Sequence, residues 1–98
     1  MTITKTKQGD QISIRLPNKF NADCIQDFRD AYTEENDSKG ILIDFRETEY
    51  MDSSGLGMLI HIRREFGEER SNIKLINCRS QIKRILLISR FDKYFEIS

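Results

Sequence analysis

Ile41-Leu42-Ile43-Asp44-Phe45 is a nearly continuous apolar run that follows the turn-forming stretch Asn36-Asp37-Ser38-Lys39-Gly40, and its reading decides the fold. A run this short is a strand and not a helix, and its β-branched isoleucines fit a buried strand of a parallel sheet. Shortly after it, from Asp52 or Ser53 onward, Leu56, Leu59, Ile60, Ile62 and Phe66 recur at helical spacing. Arg63, Arg64, Glu65, Glu68, Glu69 and Arg70 give that helix a solvated, mixed-charge face.

Working outward, Ser71-Asn72 breaks the helix, and Ile73, Leu75 and Ile76 form another short strand. Ser80 is expected to cap a third helix carrying Ile82, Ile85, Leu86 and either Leu87 or Ile88. Tyr94-Phe95-Glu96-Ile97 reads as a terminal strand. Upstream, Cys24, Ile25, Phe28, Ala31 and Tyr32 repeat at helical spacing behind Asn21, a natural N-cap. Ile12, Ile14 and Leu16 alternate with polar residues as in a half-buried strand, which Pro17-Asn18 ends. Gly9-Asp10 joins it to an edge strand over residues 2–7, where only Ile3 is apolar. The order is strand, strand, helix, strand, helix, strand, helix, strand. That alternation predicts α/β units with right-handed crossovers and a hairpin at one edge.

The 98 residues are enough for one domain, and Lys plus Arg (16) balance Asp plus Glu (16). No bulk excess of cations is present to hold a nucleic acid backbone, so nucleic acid is not expected as a partner. Residues 79–93 nonetheless hold Arg79, Lys83, Arg84, Arg90 and Lys93 against one acid, Asp92. They read first as a solvated helix face and second as a partner-facing patch. The N-terminal residues have no apolar stretch suited to export, and the longest apolar run, residues 85–88, falls far short of the ~20 residues that span a bilayer. A cytoplasmic protein with no membrane contact is expected. Cys24 and Cys78 match neither a metal nor a redox spacing and read as reduced thiols in or near the core.

Chemistry concentrates in Tyr50-Met51-Asp52-Ser53-Ser54-Gly55-Leu56-Gly57-Met58-Leu59, between a strand and a helix. Loops at the carboxyl ends of parallel strands are where open α/β sheets gather function. Asp52, Ser53 and Ser54 are all N-cap types, so a well-capped helix start accounts for them. It does not account for Gly55 and Gly57, which each cost a helix roughly 1 kcal/mol relative to alanine. Their use is to keep the first turn slim, so that a partner can approach the backbone closely. A serine hydrolase fails on geometry: the single histidine, His61, lies eight residues after Ser53 on the same helix, roughly 12 Å away. His61 reads as a surface or rim residue. No P-loop, zinc spacing or other cofactor motif is present, so no cofactor or metal is expected.

The run 41–45 followed by Asp52-Ser53-Ser54-Gly55-Leu56-Gly57 resembles the central motif of STAS domains, the family of bacterial anti-sigma factor antagonists and of the cytoplasmic tails of sulfate transporters. Ser80-Gln81-Ile82-Lys83-Arg84-Ile85-Leu86 is similar to the family's third helix, and the element order matches over nearly the whole chain. The resemblance implies one STAS domain over residues 1–98, with a mixed sheet of four or five strands, a β-hairpin edge and three helices. It also implies a non-enzymatic phospho-switch. By position, Ser53 is the phosphoacceptor, with Ser54 as runner-up. Asp52, Ser54, Gly55, Leu56 and Gly57 are the partner-binding or supporting residues, and Asn21 and Asp44 are weaker candidates for such a role. The unphosphorylated form binds an anti-sigma factor or serine kinase, which brings its own ATP and Mg²⁺. Phosphorylation abolishes the binding, and a serine phosphatase restores it.

The sequence departs from the family at three places. Asn18-Lys19-Phe20-Asn21 replaces the usual Gly-x-Leu/Phe-Asp turn, Arg90 stands where many members close the third helix with glycine, and the family's C-terminal helix is not among these residues. The flank of the sheet that helix would cover is expected to be exposed or covered by a partner. Two other readings keep the fold: a structural STAS subunit of a larger assembly, such as a lipid-transport complex, and a switch whose partner is an enzyme or response regulator.

Overall fold

A computed structural model describes residues 3–33, 35, 40–66 and 72–98. Strands β1 (Thr4–Gln8) and β2 (Gln11–Arg15) form the expected hairpin, turned at Gly9 with φ +63°. Glycine meets no steric penalty at that angle. β2 pairs in parallel with β4 (Gly40–Asp44), β4 with β6 (Ile73–Ile76), and β6 with β7 (Glu96–Ile97), giving the order β1-β2-β4-β6-β7. Helices α1 (Ile25–Tyr32), α2 (Ser53–Glu65) and α3 (Ser80–Ile88) are the crossovers. Each adds the next strand on the same side, so right-handed connections stack all three on one face of the sheet.

The register shows which face that is. Ile12, Ile41 and Ile73 share one rung, and Ile14, Ile43, Leu75 and Ile97 share another. All but the half-buried Ile97 are buried. The alternate rung Ser13, Leu42, Lys74, Glu96 faces away from the helices and is half-buried or exposed. The run 41–45 is therefore a parallel strand covered chiefly on one face, because among the described residues no helix lies behind Leu42. Under the helices, Phe20, Phe28, Tyr32 and Phe66 stack edge to face in series, with Phe45 against Phe20.

Several expectations are corrected. Ile25 is 46% exposed, since the stripe of α1 runs through Cys24, Phe28, Ala31 and Tyr32 and Ile25 sits at its margin. Leu87 and Ile88 are exposed: the α3 stripe is Ile82 and Leu86, and these two residues turn past it by ~100° and ~200°. Ser80 is the first helical residue; the cap is Arg79, in extended conformation and without a capping bond from its side chain, which donates instead to the Arg46 carbonyl. Tyr94 follows a 3₁₀ turn, Phe91–Lys93, and the terminal strand is only Glu96–Ile97. The sequence reading missed a parallel pair of two-residue strands, β3 (Lys19–Phe20) with β5 (Tyr50–Met51). The breaks assigned to residues 36–39 and Ser71, and the charges of Glu68, Glu69 and Arg70, lie outside the described residues. Asn72 donates its side-chain amide to the Phe66 carbonyl at 3.1 Å, where α2 ends.

Candidate functional site

Two loops at the carboxyl end of the sheet are fastened together before the Asp-Ser-Ser motif begins. The Asn18 carbonyl accepts from the amides of Glu49 (2.8 Å) and Tyr50 (3.1 Å). The Asn18 side chain donates to the Glu49 carboxylate at 3.0 Å, and the buried Thr48 hydroxyl donates to the Pro17 carbonyl at 2.8 Å. β3 and β5 then zip the segments together up to Met51. The loop in which Asn18 and Asn21 replace the family's glycine and aspartate thus flanks the motif.

Asp52 leaves β5 in extended conformation and caps α2, its carboxylate accepting from the Gly55 amide at 3.1 Å. Ser53 is the first helical residue and is exposed, and no hydrogen bond within the described residues uses its hydroxyl. Ser54 is half-buried. Gly55 is buried, and a Cβ placed on it would lie 2.6 Å from Met51 Cγ and 2.8 Å from the Phe20 carbonyl oxygen. It is there so that α2 can seat on β3. Gly57 is exposed, with nothing within 4 Å of such a Cβ. Of the two glycines singled out in the sequence, packing explains the first and not the second.

Beside the motif runs a groove of about 300 Å³ between α1 and α2. Ile25, Phe28 and Tyr32 form one wall, Ser54, Gly57 and Met58 the other, and Arg29 and His61 stand at its rim. Burial, and then the Glu65 carboxylate, push the Tyr32 phenol above its ordinary pKa, so it stays neutral. His61 pairs with Glu65 across 3.6 Å, both side chains about half exposed. Ser53 and His61 are eight residues apart on one unbroken helix, about 12 Å along its axis. The site has an accessible hydroxyl that the His61 imidazole does not reach.

Asn21 and Asp44 make their contacts outside residues 52–57. Asn21 caps the 3₁₀ turn Ala22–Cys24 that leads into α1, accepting from the Asp23 amide at 3.0 Å. Asp44 is buried and accepts from the Arg46 amide (2.9 Å) and the Asn77 side chain (3.1 Å), with Arg15 at 3.5 Å. None of these contacts is with residues 52–57. Cys24 donates its thiol to the Lys19 carbonyl, and burial raises the Cys78 pKa to about 11. Both thiols are free. Among the described residues, no helix is long and apolar enough to cross a membrane.

Comparison with known proteins agrees with this geometry. A STAS-domain containing protein of Pseudomonas aeruginosa (strain UCBPP-PA14) is 36% identical over 99 residues, spanning 100% of this chain and 98% of that protein. The fold is similar to that of the anti-sigma factor antagonist SpoIIAA in its unphosphorylated form (TM-score 0.83, 17% identity, 99% of this chain and 88% of that one). It is also similar to the Bacillus cell fate determinant SpoIIAA in the phosphorylated form (TM-score 0.76, 17% identity, 99% and 91%). The STAS domain model matches residues 6–98, and the chain belongs to the STAS domain family.

Proposed function

We propose that this chain is a single-domain, non-enzymatic phospho-switch of the anti-sigma factor antagonist kind, working in the cytoplasm with Ser53 as the acceptor. The observation that carries the reading is an exposed serine hydroxyl at the first position of α2, beside an apolar groove and next to the capping Asp52. Solved structures of similar fold in both phosphorylated and unphosphorylated form support it. The unphosphorylated protein binds an anti-sigma factor or serine kinase through the motif and the groove. Asp52, Ser54, Gly55, Leu56 and Gly57 shape the surface, and Asn21 orders the adjacent loop. The kinase brings ATP and Mg²⁺, and a serine phosphatase resets the switch.

Physical chemistry constrains how the switch acts. A phosphoserine carries roughly −1.5 to −2 charges, which the amides of a helix N-terminus favour and the neighbouring Asp52 carboxylate opposes. The fold is retained, so the effect is exerted on the partner by clash and like-charge repulsion. Repulsion worth about 3 kcal/mol lowers affinity roughly a hundredfold.

Intact-mass and phosphopeptide analysis of protein isolated with kinase and phosphatase inhibitors tests this, and one phosphoryl group on Ser53 is expected. Ser53→Ala should keep its melting temperature and bind the partner constitutively; Ser53→Asp should fold equally well and lose it. Absence of phosphate under several growth conditions, or unfolding of either variant, would overturn the proposal.

A further inference from the structure

We infer that the outer face of α3 is a second docking surface, which takes an acidic amphipathic segment of a partner protein. The apolar stripe of α3 is already spent in the core on Ile82 and Leu86, with Ile85 half-buried. Leu87 and Ile88 nevertheless project outward, Ile88 at 74% exposure. They line, with Ser80, Lys83 and Arg84, a shallow concavity of about 400 Å³.

Charge identifies the occupant. Lys83 and Arg84 line the concavity beside Leu87 and Ile88, Arg90 and Lys93 follow in the chain, and no ion pair within the described residues engages any of the four. Arg90 is held at φ 63°, a left-handed conformation that glycine adopts at lower cost. A cation therefore stands where backbone economy favours its removal. Carboxylates flanking apolar anchors complement this face. A membrane surface does not, because an interfacial helix needs a whole apolar face and α3 has two exposed residues to offer. A nucleic acid backbone would draw on the cations and gain nothing from Leu87 and Ile88. The crossover helices run back against the strands, so Ile88, at the end of α3, lies at the opposite end of the helical layer from Ser53, at the start of α2. Docking here is independent of the switch.

The test is to pan a display library of random peptides of about 16 residues, roughly four helical turns, against the full chain. The variant Arg84→Glu/Ile88→Ser serves as counter-target. Enriched peptides should carry acids interleaved with apolar residues at helical spacing. They should bind wild-type protein at least about tenfold more tightly than the variant and bind Ser53→Asp as well as wild type. Arg90→Gly is the folding control, expected to melt higher than wild type yet bind the peptides more weakly. Peptides without acids, equal binding to the variant, loss of binding in Ser53→Asp, or undiminished binding to Arg90→Gly would each overturn the inference. So would sedimentation of the chain with phosphatidylglycerol vesicles in the absence of peptide binding.

Discussion

At the residue scale, the two glycines of the motif look alike in sequence and differ in what surrounds them. Gly55→Ala would drive a methyl group against the Phe20 carbonyl and Met51. Because backbone is one of the two neighbours, the clash is relieved only by lifting α2 off β3, at about 1–3 kcal/mol. Gly57→Ala adds a methyl group in open space and should stabilise the helix by roughly 0.5–1 kcal/mol. Urea unfolding of the two variants checks the signs. If Gly57 serves the approach of a partner, its alanine variant will be more stable and yet bind that partner more weakly, whereas equal or tighter binding would leave Gly57 without a role. Sequence composition showed that two glycines in a first helical turn are costly. Only the placement of Phe20 showed which of them the fold itself requires, and that placement depends on the β3–β5 pairing, whose two-residue strands leave no periodicity to read.

At the scale of elements, the apolar periodicities of β2, α1 and α2 were legible because each buries one stripe or one face, and β4 was legible from its apolar run, though not that only one of its faces is covered. The margins were not. Ile25, Leu87 and Ile88 are as apolar as the core residues beside them, and only the rotation of each helix against the sheet decides which are covered. Strand β1 was legible as an edge, and its fastening was not. All five of its residues are exposed, so little apolar burial holds it. The buried Glu35, after α1, reaches back to Lys7 at 3.1 Å and Lys5 at 3.4 Å. The Lys7 ammonium, assisted by Lys5 and opposed by burial, holds the Glu35 carboxyl below its ordinary pKa. The unfolded chain therefore binds the proton more readily, and stability rises with pH across the interval between the two values. The contribution is complete above the ordinary carboxylate range near pH ~4.3 and disappears as pH falls through the folded-state value. Denaturant midpoints of wild type and Glu35→Gln, measured from neutral pH down to strong acid, should be separated at neutrality and converge in acid. Parallel curves at every pH would assign the effect of Glu35 to packing and not to its charge.

At the scale of the whole molecule, Asp44 shows how one carboxylate is shared by three strands. It ends β4, stands beside Arg15 of β2, and accepts from Asn77 just beyond β6. Asn77 is itself held at φ 57°, which asparagine tolerates better than most residues. In the sequence Asp44 is only a weaker candidate for a supporting or interface role. The rung Arg15, Asp44, Ile76 explains it as architecture on the sheet face away from the helices. Asp44→Ala leaves the Arg46 amide and the Asn77 side chain without their acceptor and should cost about 1.5–3 kcal/mol, as loss of hydrogen bonds to a charged group does. For a domain of this size each kcal/mol is worth roughly 4–8 °C of melting temperature, so a fall on the order of 10 °C is expected. The motif should be spared. Asp52 and Gly55 are fixed by the pairing of residues 17–20 with 47–51, which Asp44 does not touch. Well below the melting temperature, amide resonances of Arg46 and Asn77 should therefore move in Asp44→Ala while those of Gly55 and Leu56 stay in place. Movement of the latter two would mean that the sheet edge and the start of α2 are one coupled unit, and Asp44 would then be a positioning residue for Ser53.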